Sequence, residues 1–267
     1  MSDRGSDADG DDESGRALAR LYDFDLVEDP GDVDLYFSLA RRTGGPILEL
    51  AVGTGRVAIP LAQAGFDLIG VDIDPAMLDR ARERAAIDRP EGRLQLVEGD
   101  IQGLRLPAAG TFTLAFIALN SLLLLGSRDS QREAIRTMAA HLAPGGLAVV
   151  DIWLPDADDL ARFDGRIVLE YARADPETGL TVTKAASAQH DSVSQQITLT
   201  TLYEESSQGS PARRWVRVDR IRLVSADELR GFTEDVGLEV ELLAGAYDLS
   251  PLGPASDRAV LVAVRRT

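Results

Sequence analysis

Pro46-Ile47-Leu48-Glu49-Leu50-Ala51-Val52-Gly53-Thr54-Gly55-Arg56 is the stretch that decides the fold. A short apolar run from Ile47 to Val52 carries one acid, Glu49. It meets Gly53-Thr54-Gly55 and then an amphipathic segment, Arg56 to Ala64, that Gly65 closes. The pattern predicts a strand, a tight glycine turn and a helix. Glycine reaches backbone angles that a Cβ forbids, and its missing side chain lets a ligand touch the main chain. The helix that follows points its free N–H groups and its positive dipole end back at that ligand.

The turn alone does not name the ligand. Gly53-x-Gly55-x-x-Ala58 fits the dinucleotide fingerprint, with Asp72 ending the next strand as a ribose-binding acid. A packing turn in some α/β protein is the plain alternative.

Working outward, Asp32 is expected to cap a helix with Val33, Tyr36, Phe37 and Leu39 on its apolar face and Gly44-Gly45 as its stop. Downstream, Asp67 to Asp72 reads as a second strand. Asp74-Pro75 opens a helix, because Asp is a good cap and Pro a good first residue. Arg93 to Val97 and Thr111 to Leu119 read as strands three and four. Ser127 or Ser130 caps a helix through His141, with Pro144-Gly145-Gly146 as its end, and Leu147 to Trp153 is a fifth, nearly all-apolar strand. Strands alternating with helices predict a doubly wound, mostly parallel sheet. The rhythm then changes. Residues 165–223 show four alternating stretches joined by turns, an inserted antiparallel meander. Ser225 to Glu228 opens one more helix. Leu238 to Leu243 and Ala259 to Val264 are joined too tightly for a crossover helix, so they are expected to pair antiparallel.

Three segments result: an acidic tail, 1–16, with too little apolar content to order; an α/β domain, 17–164 and 224–267; and the insertion, 165–223. Cysteine is absent, which removes disulfides and thiolate chemistry, and with only His141 and His190 a histidine-rich metal site is excluded. A net charge of −16 argues against a nucleic-acid partner. No apolar run reaches the roughly 20 residues of a membrane helix, and the acidic N-terminus is unlike a signal peptide, so no membrane partner and a cytoplasmic location are expected.

Taken together, the segments resemble the class I S-adenosylmethionine-dependent methyltransferases, over roughly residues 33–154 and 224–265. Glu49-x-Ala51-x-Gly53-x-Gly55 resembles their first motif. Val71-Asp72-Ile73-Asp74-Pro75-Ala76-Met77-Leu78, Gly99-Asp100-Ile101, Leu119-Asn120-Ser121 and Leu142-Ala143-Pro144-Gly145-Gly146 follow in the family's order. The resemblance implies S-adenosyl-L-methionine as cofactor. It implies Asp72 at the ribose diol, Asp100 and the Ile101 N–H at the adenine edge, and Ile73 and Met77 on the adenine faces. The main chain at Ala51 and Gly53, with Glu49 and Asn120, would meet the amino acid tail, and Tyr22, in Tyr22-Asp23, would close over it. In layout the insertion is similar to that of small-molecule N-methyltransferases. That implies a small acceptor with an amine nitrogen or a hydroxyl. A Rossmann oxidoreductase using NAD(P) and a cofactor-binding protein without catalysis remain the alternatives.

No motif supplies a general base, and His141 reads as a charge at a helix C-terminus. The insertion is expected to roof the acceptor pocket, with Trp153, Tyr171 and His190 as acceptor-binding residues and Val168, Val182, Ile197 and Leu199 on its apolar face. A homodimer contact is the other use of that face.

Overall fold

The computed structural model describes residues 5–26 and 30–266. They divide into two units, one made of the N-terminal helix with Pro155–Leu223, the other running to Leu154 and resuming at Val224.

The second unit is built on a seven-stranded sheet. Its strands are β1 (Ile47–Leu50), β2 (Leu68–Asp72), β3 (Leu94–Glu98), β4 (Phe112–Ile117), β5 (Leu142–Trp153), β10 (Glu239–Ala244) and β11 (Arg258–Val264). The order is β10-β11-β5-β4-β1-β2-β3. The first five strands are parallel, and β11 runs antiparallel to both β5 and β10. This is the doubly wound sheet with a terminal antiparallel pair that the sequence predicts. β2 and β3 lie to one side of β1, and β4 and β5 to the other, so the chain reverses its direction of winding between β1 and β4. Ligands of open α/β sheets bind at the strand carboxyl ends beside such a reversal.

Among the described residues five α-helices serve this unit: α2 (Asp32–Thr43), α3 (Ala58–Gln63), α4 (Pro75–Asp88), α5 (Arg128–His141) and α7 (Ala226–Asp235). The apolar stripe of α2 buries Leu35, Tyr36, Leu39 and Ala40, and Tyr36 stacks on Phe116 of β4 at 4.2 Å between ring centres. Gly44 ends α2 with its N–H on the Ala40 carbonyl, as expected. Asp32 departs from expectation. Gly31, at φ 87°, takes the cap position, while Asp32 is fully buried and accepts both arms of Arg56, at 2.7 and 2.5 Å. Asp74 caps α4 through the Ala76 and Met77 amides, and Ser127 caps α5. α5 stops at His141 and the chain enters β5 at Leu142, so Pro144-Gly145-Gly146 lies inside the strand's first residues rather than ending the helix. His141 does end α5, and its ring is held by specific hydrogen bonds. It is buried, its Nε2 accepts the Leu106 N–H, and its Nδ1–H is thereby left to donate to the Thr137 carbonyl.

The first unit is the antiparallel meander β6 (Asp164–Ala174), β7 (Thr181–Asp191), β8 (Gln196–Ser206) and β9 (Arg213–Arg222), with α1 (Gly5–Asp25) and the short α6 (Ala157–Arg162). Two expectations need correction. Residues 1–16 were expected to be disordered, yet the helix starts at Gly5; residues 1–4 lie outside the described ones. The helix is anchored by Leu18, Leu21 and Phe24 against Val182, Tyr203, Tyr171 and Trp215, and Glu13 still pairs with Arg213 of β9. The N-terminal helix therefore belongs with the meander, and the boundary falls at 155 rather than 165.

Polar contacts fasten α1. Arg20 pairs with Asp175 and Glu205. Asp25 accepts Lys184 Nζ and the Tyr203 hydroxyl, both at 2.6 Å, and also the Tyr171 hydroxyl. The Arg173 guanidinium lies over the Phe24 and Tyr171 rings. The other face of the meander carries the cross-strand row Leu169, Ala185, Leu202 and Val216, in which Leu169 and Val216 are exposed.

Candidate cofactor site

The site forms where β1, β2, β3 and β4 end. Ala51 leaves β1 in the left-handed region at φ 61°, and Gly53 and Gly55 follow at φ 54° and 78°. A Cβ on Gly55 would meet Ile59 Cδ1 at 2.8 Å, so a side chain there would have to displace Ile59 as well as adopt a left-handed backbone. Gly53 has nothing within 4 Å of a Cβ position: it is needed for its backbone angle and leaves open space beside the main chain. Arg84 of α4 binds the turn from behind, donating to the Thr54 carbonyl and hydroxyl at 3.1 Å each.

Asp72 ends β2 and is nine-tenths buried. Oδ2 accepts the Gly53 N–H at 2.7 Å and Oδ1 accepts the Asp74 N–H at 2.9 Å. The carboxylate thus ties the glycine turn to the next loop, which sequence reading missed. Each oxygen keeps a lone pair for a ribose hydroxyl. Burial raises its pKa, against the pull of the Asp74 and Gly53 amides. Ile73, 65 % exposed, is no core residue, while Met77 is buried. Asp100 follows β3 on the surface and accepts the Gln102 N–H at 2.8 Å in a local turn; Ile101 beside it is buried.

At the other side of the crevice, Leu119 and Asn120 leave β4 with φ 49° and 64°. Two successive left-handed residues without a glycine are costly and mark a constrained site. Asn120 Oδ1 is buried and accepts no hydrogen bond from the described residues. Glu49 is in the same condition. It is buried in β1, Oε2 has no partner among the described residues, and burial holds its carboxyl well above the ordinary range while Arg56 and the Ala58 amide pull it down. Each is a buried acceptor without a donor among the described residues, a need that an N–H-bearing group such as the ammonium of S-adenosylmethionine could meet.

Trp153 ends β5 in the same unit, whereas Tyr22, Tyr171 and His190 stand in the other unit. The Tyr171 hydroxyl bonds Asp25 of α1, and Val182 packs with Leu21 of the same helix. His190 keeps a buried Nε2 without a partner among the described residues. Asp151, buried in β5 and bound to Tyr36, Tyr247 and Leu119, was passed over in the sequence; an acid inside the run Val149-Val150-Asp151-Ile152 was the available signal.

A Rossmann-like sheet with this glycine turn and acid is the frame of an enzyme that binds a nucleoside cofactor, and the comparisons say which. A profile described as a methyltransferase domain matches residues 47–146. The cypemycin N-terminal methyltransferase of a Streptomyces species is 30 % identical over 233 residues, covering 84 % of each chain. The CcbJ methyltransferase of Streptomyces caelestis superposes with a TM-score of 0.73 at 27 % identity, covering 89 % of this chain and 97 % of that one. The sugar N-methyltransferase KedS8 of a Streptoalloteichus species shares the fold, with a TM-score of 0.72 at 22 % identity and 92 % of each chain covered. The chain belongs to the S-adenosylmethionine-dependent methyltransferases. Of the two cofactors that the turn admits, S-adenosylmethionine is therefore the one it uses. Among the described residues no helix is long and apolar enough to cross a membrane.

Proposed function

We propose that this enzyme transfers a methyl group to an amine nitrogen of a small molecule. The observation that carries the reading is the relation to the cypemycin N-terminal methyltransferase, whose name places its methyl on an N-terminal amine, over most of both chains. The residues support it. An amine need only shed a proton to solvent, whereas a weakly acidic hydroxyl needs a base beside the transfer point. Among the described residues of the crevice, Asp72 and Asp100 are engaged by backbone amides and Glu49 is buried. His141 is locked between Leu106 and Thr137.

The bound cofactor supplies a methyl carbon activated by its sulfonium; the amine lone pair forms the new C–N bond as the C–S bond breaks, leaving S-adenosylhomocysteine. The protein's part is to hold and orient. Asp72 takes the ribose hydroxyls. Ile73 and Met77 flank the adenine, with Asp100 and the Ile101 N–H at its edge. Glu49 and Asn120, with the Ala51–Gly53 main chain, hold the zwitterionic tail. Alignment of this kind is worth on the order of 7–11 kcal/mol. The test is a screen of primary and secondary amines, amino sugars, peptides with a free N-terminus and phenols, read as release of S-adenosylhomocysteine. Turnover is expected with an amine. Turnover confined to phenols or alcohols would refute the amine assignment.

A further inference from the structure

Asp151 gathers four elements around one buried carboxylate. Oδ1 accepts the Tyr36 hydroxyl of α2 at 2.7 Å and the Leu119 N–H at 3.0 Å. Oδ2 accepts the Tyr247 hydroxyl, from the loop between β10 and β11, at 3.0 Å. Arg258 of β11 donates to that same hydroxyl at 2.5 Å and stacks over the Tyr247 ring at 4.3 Å. Three donors on one fully buried acid call for a reason beyond packing.

Its position suggests the reason. Among the described residues the backbone amide that Asp151 binds is that of Leu119, at the start of the left-handed pair Leu119–Asn120. Asparagine tolerates that conformation; leucine, with no short polar side chain to bond locally, does not adopt it readily. The bond to Asp151 opposes the relaxation of Leu119. The turn is closed behind it by Ser121 N–H on the Ala118 carbonyl at 3.1 Å and Leu123 N–H on the Asn120 carbonyl at 2.8 Å. Asn120 Oδ1 is left buried and without a donor.

We propose that Asp151 is a positioning residue: clamped by Tyr36 and Tyr247, it fixes the strained Leu119–Asn120 turn and thereby holds Asn120 Oδ1 toward the cofactor's ammonium. This rests on the reading of Asn120 as part of the cofactor site. Neither tyrosine nor Asp151 touches the reacting atoms; they act through Asn120.

A double-mutant cycle on the full chain tests it, with S-adenosylhomocysteine affinity measured by calorimetry. Asn120→Ala and Asp151→Asn are each expected to weaken binding roughly tenfold, and the double variant to bind no worse than Asn120→Ala alone, since residues acting as a unit are not additive. A purely structural Asp151 would lower the melting temperature and give effects that multiply. Tyr247→Phe, which removes one clamp at a half-buried site, repeats the cycle should Asp151→Asn fail to fold. Multiplying effects, or wild-type affinity in Asp151→Asn, overturn the positioning role while leaving Asn120 in the site. Wild-type affinity in Asn120→Ala overturns the reading of Asn120 and the proposal with it.

Discussion

Asp72→Ala is expected to weaken S-adenosylhomocysteine binding by about 3 kcal/mol, roughly a hundredfold, because two losses combine. The ribose hydroxyls lose a charged acceptor. The Gly53 and Asp74 amides lose theirs as well, so the glycine turn is no longer fixed for the incoming tail. The pH dependence gives a second reading of the same residue. Burial raises the Asp72 pKa, so binding that requires the carboxylate fades as pH falls through a value above the ~3.9 of free aspartate. The stability term has the opposite sign. A carboxyl raised in the fold contributes most below its unfolded pKa, and that contribution is lost as pH rises through the folded value. Acid should therefore shrink the thermal shift that the ligand confers on wild type, and alanine at 72 should remove Asp72's share of that loss. Wild-type affinity in the variant would take Asp72 out of the site.

The second large effect concerns stability. Arg56→Ala leaves the fully buried Asp32 carboxylate without its bidentate partner. Breaking a buried pair from one side costs about 3–5 kcal/mol, a fall of roughly 6–20 °C in melting temperature. Replacing both members, Asp32→Leu with Arg56→Met, should restore most of it, because no charge is then stranded. Calorimetric melting decides, and an Arg56→Ala variant that melts with wild type would show the pair to be dispensable. The pair also matters for the site. Arg56 is the cation that opposes the raised pKa of Glu49, so its loss should leave Glu49 more readily protonated and less able to receive an ammonium.

What could be read from the sequence was local. The run into Gly53, the acid at Asp72, the Asp74-Pro75 cap and the meander's alternation all depend on neighbours within a few residues, and the structure has each of them. The misses depend on partners far along the chain. Asp32 has the look of a cap, but its partner Arg56 lies 24 residues away, and Tyr36 meets Asp151 across 115. Gly5 to Gly15 has the composition of a solvated tail, and its helix is secured by residues that follow it and by a distant strand. α6 is too short for periodicity to register; only the Asp156–Asp159 capping box announces it. Glu49 and Asp151 present the same signal, one acid in an apolar strand. Glu49 was recognised because a glycine turn follows it, while Asp151 has no motif beside it.

Hydrogen exchange with and without S-adenosylhomocysteine tests the placement of the cofactor most directly. Binding at the β1–β4 crevice should slow exchange in four separate segments, 51–56, 72–77, 99–102 and 119–121. The groove beside β3 lined by Arg82, Pro90, Arg93 and Gln95 should be unchanged. Protection confined to that groove, or absent from the segments at Gly53 and Asn120 when the ligand is bound, would contradict the site described here.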